Sequence, residues 1–154
     1  MPAERAQIRG DSMKLVQHLL DSKGREIITI AAETSVLDAI RRMADKTVGS
    51  LLVMQGDELK GIVTERDYAR KVIIKGRSSE STEVGEIMTT DVCTASSQDT
   101  VNDCMTVMTE RKIRHLPVVD DGVVTGMISI GDLVQAIISD QKEEIEQLEH
   151  YISG

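Results

Sequence analysis

Apolar and polar positions along this chain form a pattern that changes period several times and then starts again. A β-branched run, Ile27-Ile28-Thr29-Ile30, is followed by Ser35 and by apolar residues at Val36, Ile40 and Met43. The i, i+4, i+7 spacing predicts an amphipathic helix with Ser35 at its start. Two short apolar runs come next, Leu51 to Met54 and Leu59 to Thr64, separated by Gln55-Gly56-Asp57-Glu58. Runs of that length around a polar, glycine-bearing break predict a β-hairpin. A further helix is predicted from about Glu65 to Ile74. The same order then recurs: Val92-Cys93-Thr94, a helix led by Thr100 with Val101, Met105 and Met108, strands Leu116 to Val119 and Val123 to Ser129 around Asp120-Asp121-Gly122, and a helix from Ile130.

The recurrence is residue by residue. Shifted by 65 positions, Ile27–Ile73 falls on Val92–Ile138 without a gap, and Val36/Val101, Met43/Met108, Leu51/Leu116, Gly61/Gly126 and Asp67/Asp132 are identical pairs. A common register with matched apolar positions and matched glycines marks an internal repeat. The unit is β-α-β-β-α, so the predicted fold class is α/β (α+β). A repeat of about 50 residues buries too little surface to stand alone. The two copies are therefore expected to pack sheet to sheet about a pseudo-two-fold axis. The organisation reads as a lead-in helix within 1–24, repeat one over 25–75, a linker over 76–91, repeat two over 92–140 and a helical extension over 141–154. Val84, Ile87 and Met88 are the linker's apolar anchor.

Composition narrows the functional classes. Of 154 residues 40% are hydrophobic but only 1% aromatic, with no Phe and no Trp. The core must be aliphatic and methionine-filled, and base stacking on aromatic platforms is disfavoured. A formal net charge of −8 opposes binding to nucleic acid phosphates. Cys93 and Cys104, the only cysteines, read as buried thiols, and His18, His115 and His150 are too scattered for a zinc site. No apolar run is long enough to span a bilayer, and the first twenty residues carry no apolar signal core. The expected location is cytoplasmic.

Candidate chemistry sits where the last strand of each copy meets its helix. Gly61-Ile62-Val63-Thr64-Glu65-Arg66-Asp67 and Gly126-Met127-Ile128-Ser129-Ile130-Gly131-Asp132 share one pattern, glycine, two apolar residues, Ser/Thr, two residues and Asp. Thr64 and Ser129 fall at the N-cap, where backbone N–H groups are unpaired and the dipole favours an anion. A hydroxyl and a carboxylate three residues apart can hold a vicinal diol such as that of ribose. The same carboxylate can instead close a capping box on its own helix. The residues themselves admit both readings.

The paired motifs, with Thr64-Glu65-Arg66-Asp67-Tyr68-Ala69-Arg70-Lys71 and Ile113-Arg114-His115-Leu116-Pro117-Val118-Val119, resemble the cystathionine-β-synthase (CBS) domain in its tandem form, the Bateman module, and small stand-alone bacterial members in particular. The resemblance covers about 25 to 140. It implies that Asp67 and Asp132 hold ribose hydroxyls of an adenosine nucleotide, with Thr64 and Ser129 on ribose or phosphate. It places adenine against Thr29 and Ile30, and against Thr94 and Ala95. Phosphate falls to Arg114 and His115, with Pro117 beside them, and to Arg66 and Arg70 in copy one. The alternatives are a solvated surface charge for Arg114, a satisfied strand-edge residue for His115 and pairing with Glu65 and other surface acids for Arg66 and Arg70; Lys71, Lys75 and Arg77 are read as solvent-facing.

The resemblance implies a non-catalytic sensor binding AMP foremost, or ADP, ATP or NAD(H), in clefts between the repeats, without metal, as a homodimer signalling to a protein partner in trans. The Arg114-His115 pair favours a phosphorylated ligand over S-adenosylmethionine. A nucleotide-processing enzyme is the first rival, but no P-loop and no nucleophile–base constellation is present. A structural dimerisation module with empty clefts is the second. Outside the repeats, Ser12 to Leu20 predicts a short amphipathic helix. Ile145, Leu148 and Ile152 continue an apolar stripe that either docks on its own domain or joins two chains.

Overall fold

The computed structural model describes residues 14–153. In chain order the elements are α1 (Val16–Lys23), β1 (Thr29–Ile30), α2 (Val36–Lys46), β2 (Ser50–Gln55), β3 (Glu58–Thr64), α3 (Glu65–Tyr68, continued by a π-helical turn over Ala69–Ile73), α4 (Val84–Ile87), α5 (Val101–Arg111), β4 (His115–Asp120), β5 (Val123–Ser129) and α6 (Ile130–Ser153). They fall into two units. One comprises Glu26–Cys93 with Asp121–Val124; the other comprises the described residues up to Arg25, Thr94–Asp120 and those from Thr125 onward. Of the predicted lead-in helix, Ser12 and Met13 lie outside the described residues.

In the unit of copy one, β2 is central. It pairs in parallel with β1 (Thr29 opposite Leu52) and antiparallel with β3 (Leu51 opposite Val63). Leu51, Val53 and Val63 point into a core closed by Val36, Ala39 and Met43 of α2, by Val72 and by Val84 and Ile87 of α4. The predicted helical stripe is thus the packed face. Ser35 caps α2 through its hydroxyl, which accepts from the Asp38 N–H at 3.1 Å; Thr100 does the same for α5 with Asp103. Both helices end on a non-glycine residue in the left-handed region, Thr47 and Lys112, which are 65 positions apart.

Two features depart from the sequence expectation, and a third bears on an alternative it left open. First, the opening strand of copy two shrinks to a single parallel bridge, Ala95 to Val118. The cause is Pro117. In copy one the Leu52 N–H donates to the Ile28 carbonyl at 3.1 Å, but the residue 65 further on is proline and has no N–H to give. Only the Ala95 N–H to Pro117 carbonyl and Val119 N–H to Ala95 carbonyl bonds survive, at 2.9 and 2.8 Å. Second, the helix expected over Glu65–Ile74 widens into a π-turn. Val72 is buried in copy one and Ala136 in copy two, 64 positions apart. The wider turn holds the additional residue. Third, α6 is one continuous helix of 24 residues. Its end does not dock on its own domain: Ile145, Leu148 and Ile152 are 55%, 61% and 82% exposed.

The repeat also extends further than the gapless register shows. Leu15 bridges Thr100, as Glu83 bridges Ser35. Each starts a short helix with the same buried pattern, Val16 and Leu19 in α1 matching Val84 and Ile87 in α4. Thus α1 lies against β5 of copy two as Met88 and Thr89, just after α4, lie against β3 of copy one. The motif glycines mark the two contacts: a Cβ on Gly61 would come within 2.8 Å of both the Met88 Sδ and the Thr89 carbonyl oxygen, and one on Gly126 within 2.6 Å of a Leu20 methyl.

Candidate functional site

Each junction is built by its strand running straight into a helix. In copy one the Glu65 N–H donates to the Gly49 carbonyl at 3.1 Å, and in copy two the Ile130 N–H donates to the Arg114 carbonyl at 2.9 Å. The residue before each hairpin therefore sits against the first turn of the following helix. In copy two that residue is Arg114, exposed, followed by half-buried His115; copy one has Gly49 and Ser50 there.

The capping-box geometry holds at both motifs. The Thr64 hydroxyl accepts from the Asp67 N–H at 3.1 Å, and Asp67 Oδ2 accepts from the Thr64 N–H at 3.0 Å and from its hydroxyl at 3.1 Å. In copy two, the Ser129 hydroxyl accepts from the Asp132 N–H at 3.2 Å, and Asp132 Oδ2 accepts from the Ser129 N–H at 2.8 Å. Each carboxylate also meets a lysine. Lys71 Nζ lies 2.9 Å from Asp67 Oδ1 and also donates to the Ile87 carbonyl at 2.8 Å. Lys23 Nζ lies 2.6 Å from Asp132 Oδ2 and donates to the Met127 carbonyl at 2.9 Å. Lys71 is therefore a partner of the motif while staying solvent-facing as expected, its side chain 44% exposed. Lys75 is exposed, while Arg77 pairs with Glu86 across 2.6 Å at the surface.

Thr29 and Ile30 are not brought to the Thr64–Asp67 couple within their unit. They lie on β1, Thr64 lies on β3, and β2 intervenes, a separation of about 10 Å. Ala95 likewise bridges β4, whereas Ser129 ends β5. Thr94 is exposed and Pro117 buried, its carbonyl held by Ala95. Arg66 and Arg70 lie exposed on the helical turns after Thr64.

The opposite end of the sheet also differs between copies. In copy two, Asp120 accepts from the Ser97 N–H at 3.0 Å, the Ser96 hydroxyl at 3.2 Å and the Thr125 hydroxyl at 3.0 Å. The Ser97 backbone N–H, more than the hydroxyls, holds the Asp120 carboxyl below its usual range, against the opposing effect of burial. The equivalent residues of copy one are Gln55, Ala31 and Ala32, which cannot make that network. They line an open cavity of about 620 Å³ with Met54, Lys60 and Met88. Neither cysteine is in a disulfide, and no helix among the described residues is long and apolar enough to cross a membrane.

Sequence reasoning missed Lys23, Lys71 and Thr89. Lys71 carried a signal, standing four residues after Asp67 where helical side chains meet. Lys23 carried none until α1 was known to cover copy two.

Fold and junctions together define a class: a tandem pair of β-α-β-β-α repeats with a hydroxyl–carboxylate couple at each strand–helix turn. The model of the CBS domain matches residues 23–74 and 84–139, and the chain belongs to the CBS-domain family. It is 38% identical to the mitochondrial CBS domain-containing protein CBSX3 of Arabidopsis thaliana, over 97% of this chain and 77% of that protein. It spans only 26% of two longer relatives from the same plant, CBSCBSPB2 and CBSCBSPB3. Among solved structures it resembles the CBS domain NE2398, with TM-score 0.80 and 46% identity over 82% of this chain and 99% of that one. The CBS pair of MJ0100, solved with 5′-methylthioadenosine and S-adenosylmethionine, is 26% identical with TM-score 0.72, over 80% of this chain and 95% of that one.

Proposed function

We propose that this chain is a non-catalytic regulatory protein that binds an adenosine nucleotide at a strand–helix junction, with AMP the leading ligand and ADP, ATP and NAD(H) the alternatives. Support comes from family membership and from a relative that holds adenosine compounds. The observation that carries the reading is the copy-two junction. A hydroxyl, a carboxylate and a cation, Ser129, Asp132 and Arg114, lie on adjoining backbone tied by the Ile130–Arg114 bond. These are the groups that ribose and phosphate require. Arg114 and His115 favour a phosphorylated ligand over S-adenosylmethionine. Binding to one conformation stabilises it and shifts the population that a protein partner reads in trans. A cytoplasmic homodimer completes the reading, and the exposed stripe of Ile138, Ile145, Leu148 and Ile152 on α6 supports self-association.

A second reading, a structural module that binds nothing, is favoured by one fact: both motif carboxylates already cap their own helices. Thermal-shift measurement with AMP, ADP, ATP, NAD(H) and S-adenosylmethionine separates the two. Ligand at a hundred times its Kd adds about 2.7 kcal/mol, which raises Tm by about 5–10 °C in a chain of this size. No shift with any of the five supports the structural module and overturns the sensor.

A further inference from the structure

The two carboxylates are not in the same state, and the difference lies in how many oxygens each has left. Asp67 is only 8% exposed. Its Oδ2 takes two bonds from Thr64, and its Oδ1 takes Lys71 Nζ at 2.9 Å and faces the Thr89 hydroxyl at 3.5 Å. Lys71 is itself anchored to the Ile87 carbonyl at the end of α4. Asp132 differs. Its Oδ2 serves Ser129 and Lys23, while Oδ1 accepts no hydrogen bond among the described residues, and the side chain is 25% exposed.

Sequence explains the contrast. The first two turns of α6, Ile130-Gly131-Asp132-Leu133-Val134-Gln135-Ala136-Ile137, hold no cation that could fold back on Asp132, and buried Ala136 stands where the repeat register places Lys71. The cation beside the junction is unequal too: Arg114 in copy two, Gly49 in copy one. Arg66 and Arg70 add charge to copy one, but no carboxylate oxygen is left there for a sugar hydroxyl.

We propose that the chain takes one nucleotide, at the Asp132 junction, and that in copy one Lys71 stands permanently where the ligand's hydroxyls would go, making Asp67 a strut between α3 and α4. This rests on the nucleotide reading and states which junction acts. It makes Lys71 a determinant of stoichiometry: a lysine side chain, not a ligand, balances the buried carboxylate.

Isothermal titration of the full chain with AMP, or with ATP where AMP gives no heat, tests this. The wild-type protein is expected to bind one nucleotide per chain, a readout that needs no variant to fold. Asp132→Asn should weaken binding by about 30-fold, the loss of a charge-assisted hydrogen bond. Asp67→Asn and Lys71→Met should leave affinity within about threefold, as sites without shared partners do. Two nucleotides per chain, or binding lost in Asp67→Asn and kept in Asp132→Asn, overturns the inequality alone. No binding of any adenosine compound by the wild-type chain overturns the nucleotide reading, and this inference with it.

Discussion

Gly61 and Gly126 occupy the same place in the two repeats, yet alanine should cost very different amounts at each. Neither has a positive φ, so the backbone itself admits alanine, and the loss of glycine freedom in the unfolded chain stabilises by about 0.5 kcal/mol. The cost lies in what the new methyl meets. At Gly126 it meets Leu20 side-chain carbons at 2.6 and 3.0 Å. Leu20 is fully buried, so its rotation crowds the core at about 1–2 kcal/mol. At Gly61 one of the two nearest atoms is the Thr89 carbonyl oxygen at 2.8 Å. That oxygen accepts from the Ile62 N–H at 3.0 Å, and the Thr89 N–H returns a bond to the Ile62 carbonyl at 2.8 Å. Backbone cannot rotate aside, so the methyl pushes the segment off β3, with a loss of about 1 kcal/mol for each of the two bonds added to the crowding. Gly61→Ala is thus expected to destabilise by about 3 kcal/mol and Gly126→Ala by about 1 kcal/mol. The chain has no Trp, so urea unfolding should be followed by far-ultraviolet circular dichroism. Equal losses in the two variants, or a smaller loss at Gly61, would refute the claim that backbone lies against one glycine and a flexible side chain against the other.

The caps and the charges carry further expectations. Thr47 holds φ 57° and ψ 47°, a left-handed conformation that costs a β-branched residue about 1–2 kcal/mol. Thr47→Gly should therefore raise Tm by about 3 °C by scanning calorimetry, and an unchanged or lower Tm would contradict the strain. The Asp120 carboxyl is held below its usual range, so its contribution is fully present above the unfolded value near pH 4 and is lost as pH falls through the lower folded value. Urea midpoints of the wild-type chain and Asp120→Asn should differ at about pH 6 and converge towards about pH 3; a gap that widens in acid would reverse the sign. Asp67→Ala removes a cap and the partner of Lys71, and should cost more stability than Asp132→Ala, since the Asp132 side chain is 25% exposed against 10% for Asp67. Equal denaturation midpoints would argue that burial does not distinguish them.

The order of elements was legible because each change of period has one physical cause. Val36, Ile40 and Met43 bury a helical stripe, Leu51 to Met54 form a strand covered on both faces, and Asp121-Gly122 take up the positive φ angles of a tight hairpin turn. What was not legible depended on groups the pattern does not register. Pro117 sits in an apolar run and reads as strand, but its missing N–H withdraws the bond that would hold a full edge strand beside it. The π-turn was hidden because a gapless alignment cannot show that one copy packs its next buried residue a position later. The match between α1 and α4 was present as Val16, Leu19 and Leu20 against Val84, Ile87 and Met88. It runs at an offset of 68 rather than 65, and each helix precedes or follows its repeat instead of lying within it.

The site was legible only to the level of its residue types. Hydroxyl and carboxylate three residues apart satisfy two demands at once, since the geometry that closes a capping box also leaves a carboxylate at the mouth of a helix N-terminus. Sequence shows the same pattern in both copies and so assigns both the same role. The structure separates them through lysines that arrive from different directions: Lys71 from one turn along the same helix, Lys23 from a helix more than a hundred residues away in sequence. Lys71 takes the second oxygen of its carboxylate, whereas Lys23 shares the oxygen already used for the cap and leaves the other exposed. A substitution at Asp132 is therefore expected to change stability and binding together, and one at Asp67 stability alone. Only the oxygen count at each carboxylate, read against stoichiometry in solution, distinguishes a ligand-binding aspartate from one that holds its own helix.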